Sequence, residues 1–201
     1  MRRIGRAIFS CHDKSGLVDF ARILHSFKVD MISTEGTQRS LAAAGIESTE
    51  VAAYTGVREL LAGRVKSLHP KVHAGLLGIR DNKLHQEEMN TFAYPWVDLL
   101  AVNLHHIEDI VKTPGITVDE VVDQVDIGGV AMIRSAAKNF RYVTVATRPA
   151  HYPLIIHEMQ AHDGAVSFAT RFRLAQEAFA ETARYDRLLA EWLERSEPPK
   201  E

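Results

Sequence analysis

The chain has 201 residues, a formal net charge of -2 and one cysteine. That length suits one globular domain with a helical appendage, and the near-neutral balance leaves no global basic field to draw in nucleic acid, although a local anion site stays open. The lone Cys11 excludes an intrachain disulfide framework and a cysteine zinc cluster, and fits a reducing compartment. The apolar run after Met1-Arg2-Arg3-Ile4-Gly5-Arg6 is too short for a signal-peptide core, and no run approaches the ~20 apolar residues of a membrane span. A cytoplasmic protein without membrane or nucleic-acid partners is expected.

Short apolar runs alternate with helical patterns. Ala7 to Ser10 predicts a first strand, and Leu17, Phe20, Ala21 and Leu24 follow at helical spacing. Val29 to Ser33 predicts a second strand, Gln38 to Ala44 a helix ended by Gly45, and Ser48 to Val51 a third strand. Val97 to Asn103, dense in apolar residues, and Arg141 to Thr147, rich in Val and Thr, predict two more, with a helix from about Val130 to Asn139 between them. Alternation of this kind implies an α/β fold with a mostly parallel sheet covered on both faces. From Ser167 to Trp192 the pattern is helical without breakers, with Phe168, Phe172, Ala175, Phe179 and Thr182 in one stripe that needs cover from the domain or a second subunit. The expected organisation is a domain over residues 1–165, a helical extension over 166–195 and a polar tail over 196–201.

The first strand ends in Ser10-Cys11-His12-Asp13-Lys14 and the second in Ser33-Thr34-Glu35-Gly36-Thr37, each opening a helix. In parallel sheets ligands bind beyond the carboxyl ends of strands, and helix N-termini there offer free N–H groups to phosphate. The same hydroxyls and carboxylates also serve as plain helix caps. Arg64-Val65-Lys66-Ser67-Leu68-His69-Pro70 gathers cations and a hydroxyl before a proline that interrupts an ordinary helix, either to meet a small anionic ligand or as a solvated basic loop. His69 and His73 are four apart, but Pro70 lies between them and no carboxylate sits close by, so no metal is expected. Asn103-Leu104-His105-His106 follows the apolar strand, where an imidazole near a phosphate ester suits acid–base work and where surface histidines opening a helix are equally ordinary. Asp126-Ile127-Gly128-Gly129 precedes a helix on which Arg134 and Lys138 share one face.

Taken in order, Ser10-x-x-Asp13-Lys14, Gly36-Thr37, Gly63-Arg64-Val65-Lys66-x-Leu68-His69-Pro70, Asn103-Leu104, Asp126-Ile127-Gly128-Gly129 and Ala136-Ala137-Lys138-Asn139 resemble the inosine monophosphate (IMP) cyclohydrolase domain family from about Arg6 to Trp192. The resemblance implies a methylglyoxal-synthase-like three-layer sandwich and closure of 5-formamidoimidazole-4-carboxamide ribotide (FAICAR) to IMP, with no metal or other cofactor. It assigns phosphate to Ser10, His12, Asp13, Lys14 and Thr34, Glu35, Gly36 and Thr37. It places Arg64 and Ser67 along the substrate with Lys66 polarising the formyl oxygen, Val102 and Asn103 at the base, and Asp126 on the carboxamide beside Ile127 and Gly128. Lys138 becomes the proton donor or acceptor. Three positions depart from the pattern: His105 stands for a catalytic tyrosine, Glu35 for a glycine and His12 for a serine. In the bifunctional family the matching helical segment leads into a formyltransferase domain, so a separate formyltransferase supplying FAICAR is implied, and a homodimer is possible. A diverged enzyme closing a related carboxamide ribotide and a non-catalytic phosphate-ligand-binding regulatory domain are the alternatives.

Overall fold

A computed structural model describes residues 1–199. Five parallel strands form one sheet in the order β3-β2-β1-β4-β5: β1 (Arg6–Cys11), β2 (Asp30–Ser33), β3 (Thr49–Glu50), β4 (Leu99–Asn103) and β5 (Thr144–Ala146). The pairing is Phe9 with Ser33 on one side and Ala101 on the other, and it ends with Cys11 opposite Asn103. Every residue of β4 is buried, as are Ala7, Ile8 and Phe9 of β1, because helices cover both faces and both side-chain rows must be apolar. Strand order reverses at β1, whose neighbours β2 and β4 lead away in opposite directions. A crevice therefore opens at its carboxyl end.

The amino edge is fixed differently. Asp98, 8 % exposed, accepts the Gly5 amide at 2.9 Å and the Arg6 amide at 3.0 Å, and pairs with the Arg80 guanidinium at 2.5 Å. Its charge is compensated by a cation and two N–H donors, which is how a buried carboxylate is made tolerable.

The helices are α1 (Leu17–Ser26), α2 (Glu35–Ala43), α3 (Val51–Thr55), α4 (Pro70–Leu77), α5 (Lys83–Thr91), α6 (Ile107–Ile110), α7 (Val118–Asp123), α8 (Gly128–Lys138), α9 (Tyr152–Ala161) and α10 (Phe168–Leu193). α1 buries Leu17, Phe20, Ala21 and Leu24, the four residues its spacing picks out. Three expectations need correction. The third strand is only Thr49–Glu50, since Val51 already begins α3. Pro70 opens α4 rather than interrupting it: it occupies the first turn, where its missing N–H costs nothing, and His69 caps the helix by accepting the Lys71 amide at 3.1 Å. The buried face of α10 is Thr170, Leu174, Ala175, Ala178, Thr182 and Tyr185, while Phe168, Phe172 and Phe179 stay exposed. α10 packs along α8, whose inner residues Ala136 and Ala137 admit only a close partner, so the phenylalanines ride on the shoulder of the seam against Phe140 and Arg134. Among the described residues no helix is long and apolar enough to cross a membrane. Lys200 and Glu201 of the expected tail lie outside the described residues.

Candidate active site

The crevice is built first from the end of β1. Asn103 at the end of β4 accepts the Asp13 amide at 2.7 Å and donates to the Asp13 carbonyl at 2.8 Å. Its side-chain amide thus holds the two loops in register, while keeping a further N–H and lone pair. The Asp13 carboxylate is hydrogen-bonded by the Ser15 side chain and by the Ser15 amide, the latter at 2.8 Å, which holds its pKa below the ordinary range and turns the chain into α1. Lys14 is exposed beyond it. Cys11 is buried and its thiol is pushed up to about 11 by desolvation, so it is inert packing rather than a nucleophile.

The second wall is the start of α2. Thr37, 1 % exposed, accepts the Cys11 amide on its hydroxyl at 3.0 Å, tying the first turn of α2 to the end of β1. Thr34 donates to the Ser10 hydroxyl at 3.3 Å. The first helical bonds run from the Thr37 and Gln38 amides to the Thr34 carbonyl, so the Glu35 and Gly36 amides point out of the helix without intrahelical acceptors. A Cβ built on Gly36 meets nothing within 4 Å: the space in front of these amides is open. Glu35 turns away along the helix and pairs with Arg39 at 3.2 Å, which removes the repulsion its carboxylate would bring to an anion.

Beyond β4 the imidazoles gather. His12 and His105 rings meet edge-to-face with centroids 4.5 Å apart, and His106 lies 5.9 Å from His12. His105 Nδ1 faces the Gln124 carbonyl at 3.4 Å. A carbonyl only accepts, so the neutral ring carries its proton on Nδ1 and presents Nε2 as an acceptor. The turn into α6 brings both His105 and His106 toward His12.

The third wall comes from α4 and α8. Ser67, 5 % exposed, fits against the first turn of α8 so closely that a Cβ on Gly128 would lie 2.5 Å from its hydroxyl. A Cβ on Gly129 would strike the Asp126 carboxylate, which caps α8 by accepting the Gly129 amide at 2.7 Å. Both glycines of Asp126-Ile127-Gly128-Gly129 are thus required by packing. The Asp126 amide in turn donates to the buried Tyr185 hydroxyl of α10 at 3.0 Å. Ile127 is exposed beside them. Arg64 pairs with Asp123, and Lys66 folds back on Glu59 at 3.2 Å across the turn Leu61-Ala62-Gly63, whose φ values are all positive. Both pairs are solvent-exposed and weakly held. His73 reaches across to the Ser135 hydroxyl at 3.0 Å, so it knits α4 to α8 and its burial lowers its pKa. Among the described residues no group of His, Cys, Asp or Glu is placed to hold a metal ion.

The structure does not bring Lys138 to this edge. It ends α8, about 15 Å from the helix start at 1.5 Å per residue, exposed at the amino edge of the sheet. The proton-transfer role drawn from the resemblance is withdrawn for this protomer on that geometry. Val102 is 1 % exposed, so only its backbone is available to a ligand. Sequence reasoning missed two contributors: Tyr185, and the Thr147-Arg148 end of β5, where His151 accepts the Thr147 amide at 3.2 Å and donates to Glu177 at 2.9 Å. The signal for the second was present, since Thr147-Arg148-Pro149 closes a parallel strand at the ligand edge.

A family model for MGS-like domains matches residues 16–131, and one for the AICARFT/IMPCHase bienzyme matches residues 136–201. The chain belongs to the MGS-like domain family. It corresponds to the N-terminal part of proteins called bifunctional purine biosynthesis protein PurH. The PurH of Neisseria meningitidis is 45% identical over 193 residues, covering 96% of this chain and 36% of that protein; the PurH of Acidithiobacillus ferrooxidans is 46% identical, covering 37% of its length. The chain thus spans about a third of the length of these curated relatives. Among solved structures, a crystal structure of ForH superposes with a TM-score of 0.80 at 30% identity, covering 94% of this chain and 98% of that one. The family match agrees with the parallel α/β sandwich expected from the sequence.

Proposed function

We propose that this domain is an IMP cyclohydrolase that closes FAICAR to IMP. The observation that carries the reading is the shared carboxyl edge: an open helix N-terminus beside Lys14, with Lys66, Ser67, Asp126 and His105 around it. The PurH likeness across 96% of the chain supports the same substrate. The Glu35 and Gly36 amides and Lys14 hold the ribotide phosphate, where the helix dipole and fixed N–H groups favour an anion. The base then extends over β4 toward the start of α8.

In the reaction the carboxamide nitrogen attacks the formyl carbon, forming a C–N bond. The carboxamide nitrogen loses one proton and the formamide nitrogen loses a second as its C=N bond forms; both protons reach the formyl oxygen, whose C–O bond breaks as it leaves as water. Both reacting groups belong to one molecule, so the protein chiefly selects a near-attack conformer and stabilises charge on the formyl oxygen. Lys66 supplies that charge by exchanging its exposed Glu59 partner for the substrate. Asp126, fixed by the Gly129 amide, orients the carboxamide N–H, and His105 Nε2 takes or returns the proton. The chemistry uses only groups on this edge, so the domain carries it out without a formyltransferase region, which acts one step earlier by supplying FAICAR. A cytoplasmic site of action follows from that pathway.

The test is incubation with FAICAR while IMP formation is followed by ultraviolet absorbance. Absence of turnover in folded protein that binds IMP would leave a ligand-binding regulatory domain. The imidazole cluster in place of the family tyrosine favours one second reading, closure of a related carboxamide ribotide. Faster turnover of such an analogue than of FAICAR would establish it.

A further inference from the structure

The ring-closing scheme uses His105 of the imidazole cluster and leaves the His12 ring, packed against it, without a role. His12 stands one residue after Cys11, whose amide is bound by Thr37 in the first turn of α2 at 3.0 Å. It is therefore beside the proposed phosphate cradle. On its other side it meets His105 at 4.5 Å and His106 at 5.9 Å. Three imidazoles this close cannot all be charged in the empty site, because like charges at such distances repel. Neutral His105 offers only a lone pair at Nε2, as its Nδ1–H is directed at Gln124. A lone pair facing a phosphate dianion repels it, whereas one added proton converts a ring into a cationic donor.

We propose that His12, backed by the His105 ring, clamps the phosphate ester dianion, the pair taking up one proton, so that ligand affinity rises as pH falls. The proposal rests on the phosphate-ester reading of the site. The surrounding charges are mixed. Burial lowers the basicity of His12 most, His105, His106 and Lys14 lower it further, and Asp13 raises it. From α10, Glu181 faces His106, with Arg148 near it. His12 is thereby held toward its neutral form in the empty site, and the arriving dianion is the one new charge that favours its protonation. The sign follows: bound pKa above free pKa means proton uptake on binding.

The experiment is isothermal titration calorimetry of the intact chain with IMP near pH ~7, in buffers of different ionisation enthalpy, with inosine as the unphosphorylated arm. Wild type should take up about half a proton or more, and Kd should tighten about threefold per pH unit on acidification. His12→Asn, at an exposed position that does not threaten the fold, should cut the uptake at least in half while IMP still binds. His12→Asn/His105→Gln should bring it close to zero. IMP binding to wild type without proton uptake overturns the clamp and leaves the cyclohydrolase reading standing. Equal uptake with inosine, or undiminished uptake in the double variant, also overturns it. Failure of IMP to bind at all removes both readings.

Discussion

Replacing Gly36 by alanine separates the phosphate cradle from the fold. A Cβ there meets nothing within 4 Å, so no neighbour has to move. Alanine in a helix is up to ~1 kcal/mol better than glycine, less at the exposed first turn, and in a chain of this size 1 kcal/mol is about 2–4 °C of melting temperature. Gly36→Ala should therefore melt between 0 and about 4 °C above wild type. Its methyl, however, fills the open space through which a phosphate oxygen reaches the Glu35 and Gly36 amides. Losing one hydrogen bond to a charged group costs roughly 1.5–3 kcal/mol, about 10- to 100-fold in Kd. Gly128→Ala is the opposite case. Its Cβ would lie 2.5 Å from the Ser67 hydroxyl, and Ser67 has only 5 % exposure through which to retreat. Overpacking of ~1–3 kcal/mol should lower its melting temperature by roughly 3–10 °C. Melting curves and IMP titration of the two variants together decide the matter. If Gly36→Ala binds IMP as wild type does, the phosphate does not sit on α2.

Lys66→Ala should slow FAICAR closure by about 100-fold or more with an unchanged melting temperature, because its pair with Glu59 is exposed and adds little stability. Lys138→Ala should turn over like wild type; a comparable loss would show that the lysine reaches a site, and that the single-protomer geometry is incomplete. His105→Phe should be markedly slower than His105→Tyr, since phenylalanine keeps the ring volume and loses the hydrogen-bonding atom. Stability should fall on acidification from pH ~7 toward ~5: His73 and His151 have pKa values lowered by burial, so the unfolded chain binds more protons there, and their stabilising neutral forms are complete only above the unfolded value near ~6.5. Melting temperatures that stay flat across that window would refute the assignment of both as buried neutral rings.

The sheet was legible because its chemistry is local. Strands buried on both faces have to be continuous apolar runs, and the loops that follow them carry the Ser, Thr, Asp and Gly that helix starts need. The open crevice at the carboxyl edge followed from the same pattern. The segment between β3 and β4, and its fit against α8, was not legible, because its order comes from contacts far apart in sequence. Ser67 is placed by Gly128, and His73 by Ser135. Nothing around Arg64 or Lys66 announces Asp123 or Glu59 as a partner. Asn103 is a related case: its residue type suits a base contact, and only the pairing of Cys11 with Asn103 shows that the side chain also holds the Asp13 backbone.

Lys138 carries a different lesson, because helix direction alone was sufficient to place it. A helix leaving the carboxyl edge must return toward the amino edge to begin the next parallel strand. Asp126 and Lys138 stand at the two ends of α8, with the Asp126 cap at one and the Asn139 amide on the Leu76 and Gly78 carbonyls, at 2.8 and 3.0 Å, at the other. Spacing along the sequence therefore tells against a shared role within one protomer. It also explains why the small residues Ala136 and Ala137 accompany the lysine. They line the seam that receives α10, whose Tyr185 hydroxyl binds the Asp126 amide at the opposite end. α10 thus acts on the site through Asp126. Tyr185→Phe, which removes one oxygen from a residue 1 % exposed, leaves that amide without its acceptor. The expected cost is ~1–3 kcal/mol if the amide stays buried, together with slower closure through a loosened carboxylate. Equal kcat and melting temperature in Tyr185→Phe and wild type would detach the long helix from the chemistry.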